Sequence, residues 1–596
     1  MERSIPFKGG DDASRPSTAI FGSDVAIEML RELEIPYVAL NPGASFRGLH
    51  DSLVNFAGGG PEIILCPHEE VAVALAHGYA RASGRPMAAI VHNIVGLQHA
   101  SMAIFNAWCD RVPVLVLGGT GPMDATIRRP YIDWVHTALV QGNQVRDYTK
   151  WDDQPASSAA IPESLLRGHR IAVTEPRGPV YICFDSTLQE ERLVQPITLP
   201  DVRRFSASTP PAADPGALAQ AARMVVNAAW PLIIADTVGR NPQAVPALQE
   251  LAELLSCGVI DKGAWFNFPN THPLDLTLAE PEARARADVV LALDVPSLAG
   301  GIGGGRTRTA VQSRGGPRAR IIHISLDDLL QHGWVADYQR LPEVDLPIAA
   351  NTATAIPQLL ELCRKELAAT PEAAGRLAHR RVEIAQMHQR ARAEVDVQIQ
   401  QVWDLKPASG LRLYAELWEV IKDHDWALTS NSLLGPQRRV WELTKPHHDL
   451  SGVRGGGLGY SVAASIGMAL AFKGTGRLCV SITGDGDFLM APTALWTAAR
   501  YRVPVLFVVF NNRSYGNDEG HQEFMARERE RNIENKGIGI RLDDPVTDFA
   551  ALARSFGVAG FGPVEDPDDL RSTFRQAVEV VTGGRPALVD VHTQLR

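Results

Sequence analysis

Three groups of residues in this 596-residue chain carry side chains suited to chemistry. The first is Gly484, Asp485, Gly486 and Asp487, followed downstream by Asn511 and Asn512. A carboxylate and a carboxamide are hard oxygen donors. A hard divalent cation typically takes one or two such protein groups and completes its shell with phosphate oxygens and water. Asp485 and Asn512 therefore point to a metal-bridged diphosphate. The second group, far upstream, is His68, Glu69 and Glu70. A carboxylate at a strand-to-helix junction among apolar neighbours is a candidate for a raised pKa and for proton transfer. Either glutamate also suits the first turn of a helix, where the dipole favours anions. The third is His92, closing the apolar run MAAIVH. An imidazole titrates near neutrality and relays protons; a satisfied strand-end histidine is the alternative.

These side chains need elements to hold them. Residues 477–483 (RLCVSIT) read as a buried parallel strand, and the Gly-Asp-Gly at its carboxyl end turns tightly while exposing backbone N–H groups. Open α/β sheets bind ligands at that edge. Residues 491–501 read as a helix and 503–510 (VPVLFVVF) as a second strand that brings both asparagines to the same edge. A strand over 63–67 precedes Glu69. The glycine-rich stretch 454–460 (RGGGLGY) introduces a helix-like run, and its glycines let backbone approach a ligand closely. Thr429, Ser430, Asn431 and Ser432 follow a short strand over 426–428, as donors to a diphosphate or as a polar turn.

The GDG and NN pair resembles the cofactor signature of the thiamine diphosphate (ThDP) enzymes. The resemblance implies Mg2+ held by Asp485, Asn512 and the backbone carbonyl of Ser514, with Gly484, Gly486, Asp487 and Tyr515 around the cofactor. The pattern HE-x-x-A-x-x-x-A-x-GYAR-x-SG resembles the segment whose glutamate hydrogen-bonds the aminopyrimidine ring and promotes the imino tautomer that removes the thiazolium proton. That role falls on Glu69. By position, Leu458 would prop the cofactor into a bent shape and the Gly456 carbonyl would accept from the ring amine. Asn431 and Ser432 would reach the diphosphate. The segments around His92 and Leu495 resemble benzoylformate decarboxylases, which implies that His92 relays protons to the carbanion or the leaving product. One departure concerns substrate identity: the serine expected after Pro-Gly is Ala44 here, with Ser45 beside it.

The chain is long enough for several cores, and 45% hydrophobic with 21% charged residues is ordinary for a globular protein. A net charge of -10 leaves no basic footprint for nucleic acid. No apolar stretch is long enough to span a bilayer, and no signal-peptide core precedes residue 18, so no membrane association and a cytoplasmic location are expected. Six cysteines lie scattered without metal spacing, as small buried hydrophobes.

Alternating helical and strand patterns give an α/β fold class of three doubly wound parallel-sheet domains. The expected divisions are a first domain over 18–190, a proline-rich linker over 191–215, a central domain over 216–365, a helical connector over 366–406 and a third domain over 407–596. The ThDP decarboxylase and acetolactate synthase superfamily resembles this layout across nearly the whole chain, as aminopyrimidine-binding, central and diphosphate-binding domains. It implies active sites built between subunits, in a homodimer at least and in a homotetramer by expectation. Residues 300–305 (GGIGGG) follow a central strand but lack a clean nucleotide fingerprint, and FAD is not expected.

Four functional classes stay open. The leading one is non-oxidative decarboxylation of a small 2-oxo acid; the others are an acetolactate synthase-like carboligase, a flavin-linked oxidase and a non-catalytic paralogue. His68, His99 and His521 are expected in structural roles. Asn93 and Gln98 either line the pocket or cap a helix. The charged segment 515–536 is a solvated helix with i,i+4 ion pairs, or a lid.

Overall fold

The computed structural model describes residues 15–56, 58–296, 298, 319–327, 343–431 and 435–595. Ser432 and residues 300–305, both named above as candidates, lie outside the described residues. The chain divides into two compact units, one formed by residues 1–76 and 86–208 and the other by residues 77–85 and 209–596.

The first unit is built on a six-stranded sheet of β1 (Tyr37–Leu40), β2 (Glu62–Leu65), β3 (Met87–Val91), β4 (Val114–Thr120), β5 (Trp151–Asp153) and β6 (Val180–Asp185), in the order β2-β1-β3-β4-β6-β5. Every pairing is parallel. β3 and β4 are buried along their whole length, which explains why their sequences are continuous apolar runs rather than alternating ones: helices cover both faces. Helix α1 (Gly22–Glu32) buries Val25, Met29 and Leu30 in the core of this sheet. Helices α2 (Glu69–Ser83) and α3 (Val95–Cys109) follow β2 and β3 directly.

The second unit contains two further parallel sheets. The central one comprises β7 (Pro231–Ala235), β8 (Gly258–Asp261), β9 (Val289–Leu293), β10 (Arg320–Ser325) and β11 (Leu346–Ala349), in the order β8-β7-β9-β10-β11. Helix α4 (Thr352–Ala368) covers it, and α5 (Ala373–Gln401) is a long, charged helix beyond it. The last sheet comprises β12 (Trp426–Asn431), β13 (Leu478–Gly484), β14 (Leu506–Asn511), β15 (Ala559–Val564) and β16 (Ala587–His592), in the order β12-β13-β14-β16-β15.

Three boundaries differ from the sequence expectation for physical reasons. β14 opens at Leu506 rather than at 503, because Pro504 has no N–H to give to a ladder. The helix expected over 491–501 is Ala494–Arg500, since Pro492 disfavours helical geometry in the residue before it. β12 runs on through Thr429 and Ser430 to Asn431, so these polar residues belong to a strand and not to a turn. Segment 515–536 forms the helix α6 (Gly516–Glu528) and a short 3-10 turn (Ile533–Gly537). Glu523 binds Arg527 at i,i+4 and also Lys536. No helix among the described residues is long and apolar enough to cross a membrane.

Candidate active site

The carboxyl ends of the first unit's strands bring three loops together. The loop after β1 carries Pro42, Gly43, Ala44 and Ser45; the one after β2 carries His68 and Glu69; the one after β3 carries His92 and Asn93. Two glycines make the approach possible. A Cβ on Gly43 would stand 2.7 Å from His92 Nδ1, and one on Gly96 would stand 2.8 Å from both Glu69 Oε1 and His92 Cβ. Real Cβ atoms do not come so close, so only glycine lets the backbone pass.

His92 is held by a defined chain of donors. The backbone N–H of Asn93 donates to Ser45 Oγ at 3.1 Å, and Ser45 Oγ lies 2.9 Å from His92 Nδ1. Ser45 Oγ, which accepts from the Asn93 N–H, thereby fixes the orientation of the His92 ring. Burial, first, and the neighbouring His136 and Arg129 push the His92 pKa below its ordinary value, against the opposing pull of Glu69. His92 is thus neutral at physiological pH. His136 stands edge-on to it at 5.4 Å between ring centres, a neighbour that the sequence reading did not single out. An open cleft of about 520 Å³ borders the same loop, lined by Gly43, Ala44, Arg47, His50 and Asp51.

Glu69 is the first residue of α2 and is 7% exposed. Its Oε2 lies 3.1 Å from Nδ1 of His99, one turn beyond Gly96 on α3. His99, a weaker candidate for which a structural role was expected, is set against the glutamate by the fold. His68 stacks on His99 with ring centres 4.5 Å apart. The backbone N–H of Glu70 donates to His68 Nδ1. Asn93 is buried and does not cap α3, whose N-cap is Ile94 with no side-chain bond; Gln98 is exposed. His521 is exposed on α6.

In the second unit, the register pairs Gly484 with Phe510, so β13 and β14 end side by side. Asp485 follows at once and is buried. Its Oδ1 accepts from the N–H of Gly486 at 2.9 Å, and the N–H groups of Arg513 and Ser514 also face the carboxylate. Burial nevertheless pushes its pKa up to about 6. Its Oδ2 is buried with no hydrogen-bond partner. Asn512 lies beside it, with Oδ1 accepting from the N–H of Ser514 at 3.0 Å. Ser514 Oγ donates to Glu519, which Arg541 also holds.

The two asparagines part company. Asn511, the last residue of β14, donates from Nδ2 to the buried Asp590 at 3.0 Å, while Asn512 accepts from the N–H of Ser514. Asp487 is engaged by the protein: its Oδ1 accepts from the N–H of Gly459 at 2.6 Å and its Oδ2 from Ser461 Oγ at 2.6 Å. It ties the glycine-rich loop to the short helix Asp485–Met490, which stands where a tight turn was expected. In that loop Gly456 adopts φ +65° facing open space, and Leu458 projects with 47% of its surface exposed. The ring of Tyr515 packs over Gly486, where a Cβ would stand 2.4 Å from it. Asn431 accepts from the Tyr414 hydroxyl.

The orphaned Asp485 oxygen, the hard-donor set around it and the open glycine loop suit a phosphorylated cofactor. Comparison with known families is decisive on this point. The thiamine pyrophosphate enzyme N-terminal TPP-binding domain matches residues 21–137, and the C-terminal TPP-binding domain matches residues 436–591. The chain belongs to the ThDP-dependent enzymes. Among relatives of this ThDP enzyme, acetolactate synthase isozyme 3 large subunit of Escherichia coli is 24% identical, over 96% of this chain and 94% of that protein. Benzoylformate decarboxylase of Pseudomonas aeruginosa is 26% identical, over 95% of this chain and 98% of that protein. The crystal structure of benzoylformate decarboxylase from Polynucleobacter necessarius superposes with a TM-score of 0.75 at 19% identity, covering 97% of this chain and 100% of that one.

Proposed function

We propose that this ThDP enzyme removes carbon dioxide from a small 2-oxo acid without oxidation and releases an aldehyde. The observation that carries the reading is His92, whose Nδ1 lies against Ser45 and whose lowered pKa makes it a base that takes up a proton and, as imidazolium, hands it on. When bound, the cofactor supplies an electron sink beside the substrate carbonyl. Asp485, Asn512 and Ser514 would hold Mg2+ against its diphosphate, with Gly484 and Gly486 close by. Gly456, Leu458 and Tyr515 would shape the space for its rings. Glu69 would exchange a proton with the bound pyrimidine, and His92 would take up a proton and pass it, as imidazolium, to the substrate.

A second reading, an acetolactate synthase-like carboligase, is favoured by the breadth of the match to the Escherichia coli large subunit. In that case a second carbonyl compound would be admitted to the site, and the proton relay by His92 would come later. A homodimer at least, with a homotetramer expected, and a cytoplasmic location complete the proposal. Burial pushes the thiols of Cys183, Cys257, Cys363 and Cys479 up to about 12, as suits a protein that keeps its cysteines reduced.

The test is carbon dioxide release from a panel of aliphatic and aromatic 2-oxo acids with ThDP and Mg2+, the organic product being identified by chromatography. Aldehyde is the expected product. Acetolactate from pyruvate moves the enzyme to the carboligase reading, and silence across the panel overturns both.

A further inference from the structure

Glu69 is a buried carboxyl group whose two oxygens meet different surroundings. Oε2 faces His99 Nδ1 at 3.1 Å. Oε1 lies against Gly96, where no side chain intervenes. Among the described residues no hydrogen bond reaches Oε1. His99 itself is half in solvent, with 53% of its side chain exposed against 9% for Glu69. Its Nδ1 is turned inward to the carboxyl group, and the stacked His68 ring restricts its rotation. Burial, and then His99, lowers the pKa of His68, so the stacking partner is neutral and does not compete for the carboxylate. The other titratable groups facing this cluster are Glu70, next to Glu69, and His92, across Gly96.

We infer that His99 is a positioning residue for Glu69, an inference that rests on the cofactor-activating role proposed for that glutamate. An Nδ1–H donor at Oε2 confines the carboxyl proton to Oε1, the oxygen without a protein partner. When the proton leaves Oε1 for an acceptor on the cofactor, the O–H bond breaks. The electron pair stays on the carboxylate, and the His99 N–H stabilises the charge at Oε2; the proton returns by the same path, so nothing is consumed. A donor to a carboxylate favours its ionised form. His99 therefore sets the oxygen from which the proton leaves.

The test is the number of protons taken up when ThDP, with Mg2+, binds the protein. Calorimetry in buffers of different ionisation enthalpy, repeated from about pH 5.5 to 8.5, measures it. Wild type, His99→Ala, His99→Gln and Glu69→Gln are compared; the His99 side chain is exposed, so its replacement leaves the fold intact. His99→Ala removes the donor and changes the pH profile of proton uptake from that of wild type. It also slows cofactor-dependent turnover about tenfold, while KM stays within twofold. His99→Gln, which keeps an N–H donor of similar reach, restores most of both. If Glu69→Gln abolishes the pH-dependent uptake and His99→Ala leaves it unmoved, the positioning role is overturned and the Glu69 assignment stands. If Glu69→Gln leaves the uptake as in wild type, the Glu69 assignment fails with it.

Discussion

At the scale of single residues, the unpartnered Oδ2 of Asp485 says most about what this protein is built to hold. A buried carboxylate oxygen without a partner costs several kcal/mol even when its twin is hydrogen-bonded. The Gly486 N–H and the backbone around Ser514 offset only part of that. A cation bound against Oδ2 removes the penalty. Asp485→Ala should weaken Mg2+-dependent ThDP binding at least a hundredfold, about 3 kcal/mol. Isothermal titration with and without a chelator checks this, and full retention of binding removes the metal-site argument. Asp485 and Asn512 were legible in the sequence because each follows at once on an apolar run that reads as a strand, although Asp485 opens a short helix (Asp485–Met490) and not the tight turn expected. The engagement of Asp487 by Gly459 and Ser461 was not legible, since it depends on a glycine-rich loop 26 to 28 residues away in sequence returning to the same place.

At the scale of elements, the junction of β3 with α3 decides the geometry around Glu69. Gly96 sits in the first turn of that helix, where alanine would by propensity stabilise it by about 1 kcal/mol. The clash wins, because the added Cβ would stand 2.8 Å from both Glu69 and His92, and overpacking costs about 1 to 3 kcal/mol. Gly96→Ala should therefore fold, melt a few degrees lower and lose at least a hundredfold in cofactor-dependent turnover by displacing Glu69 and His92 together. Circular dichroism melting beside a turnover assay measures both, and activity within twofold of wild type contradicts the account of this junction. The same junction explains what sequence reading missed. The contacts of His99 with Glu69 and of Ser45 with His92 span 30 and 47 residues, and no local period encodes them. The histidine at 136 was hidden differently, within a short helix among exposed apolar side chains such as Tyr131 and Trp134.

At the scale of the whole molecule, the three parallel sheets were legible because buried parallel strands read as uninterrupted apolar runs, as in VLVLGG of β4 and LFVVFN before Asn512. Their edges were less so, since Pro492 and Pro504 shift an element by a few residues without changing its kind. Glu69 and His92 fall in one compact unit, and Asp485 and Asn512 in the other. Glu69 is the residue proposed to control activation of the cofactor. Exchange of the thiazolium-carbon proton of bound ThDP tests that role most directly, followed by NMR after timed mixing with D2O and acid quench. The account predicts that Glu69→Gln retains bound ThDP while its exchange rate falls at least a hundredfold below wild type. Exchange at the wild-type rate in a variant saturated with cofactor would contradict it.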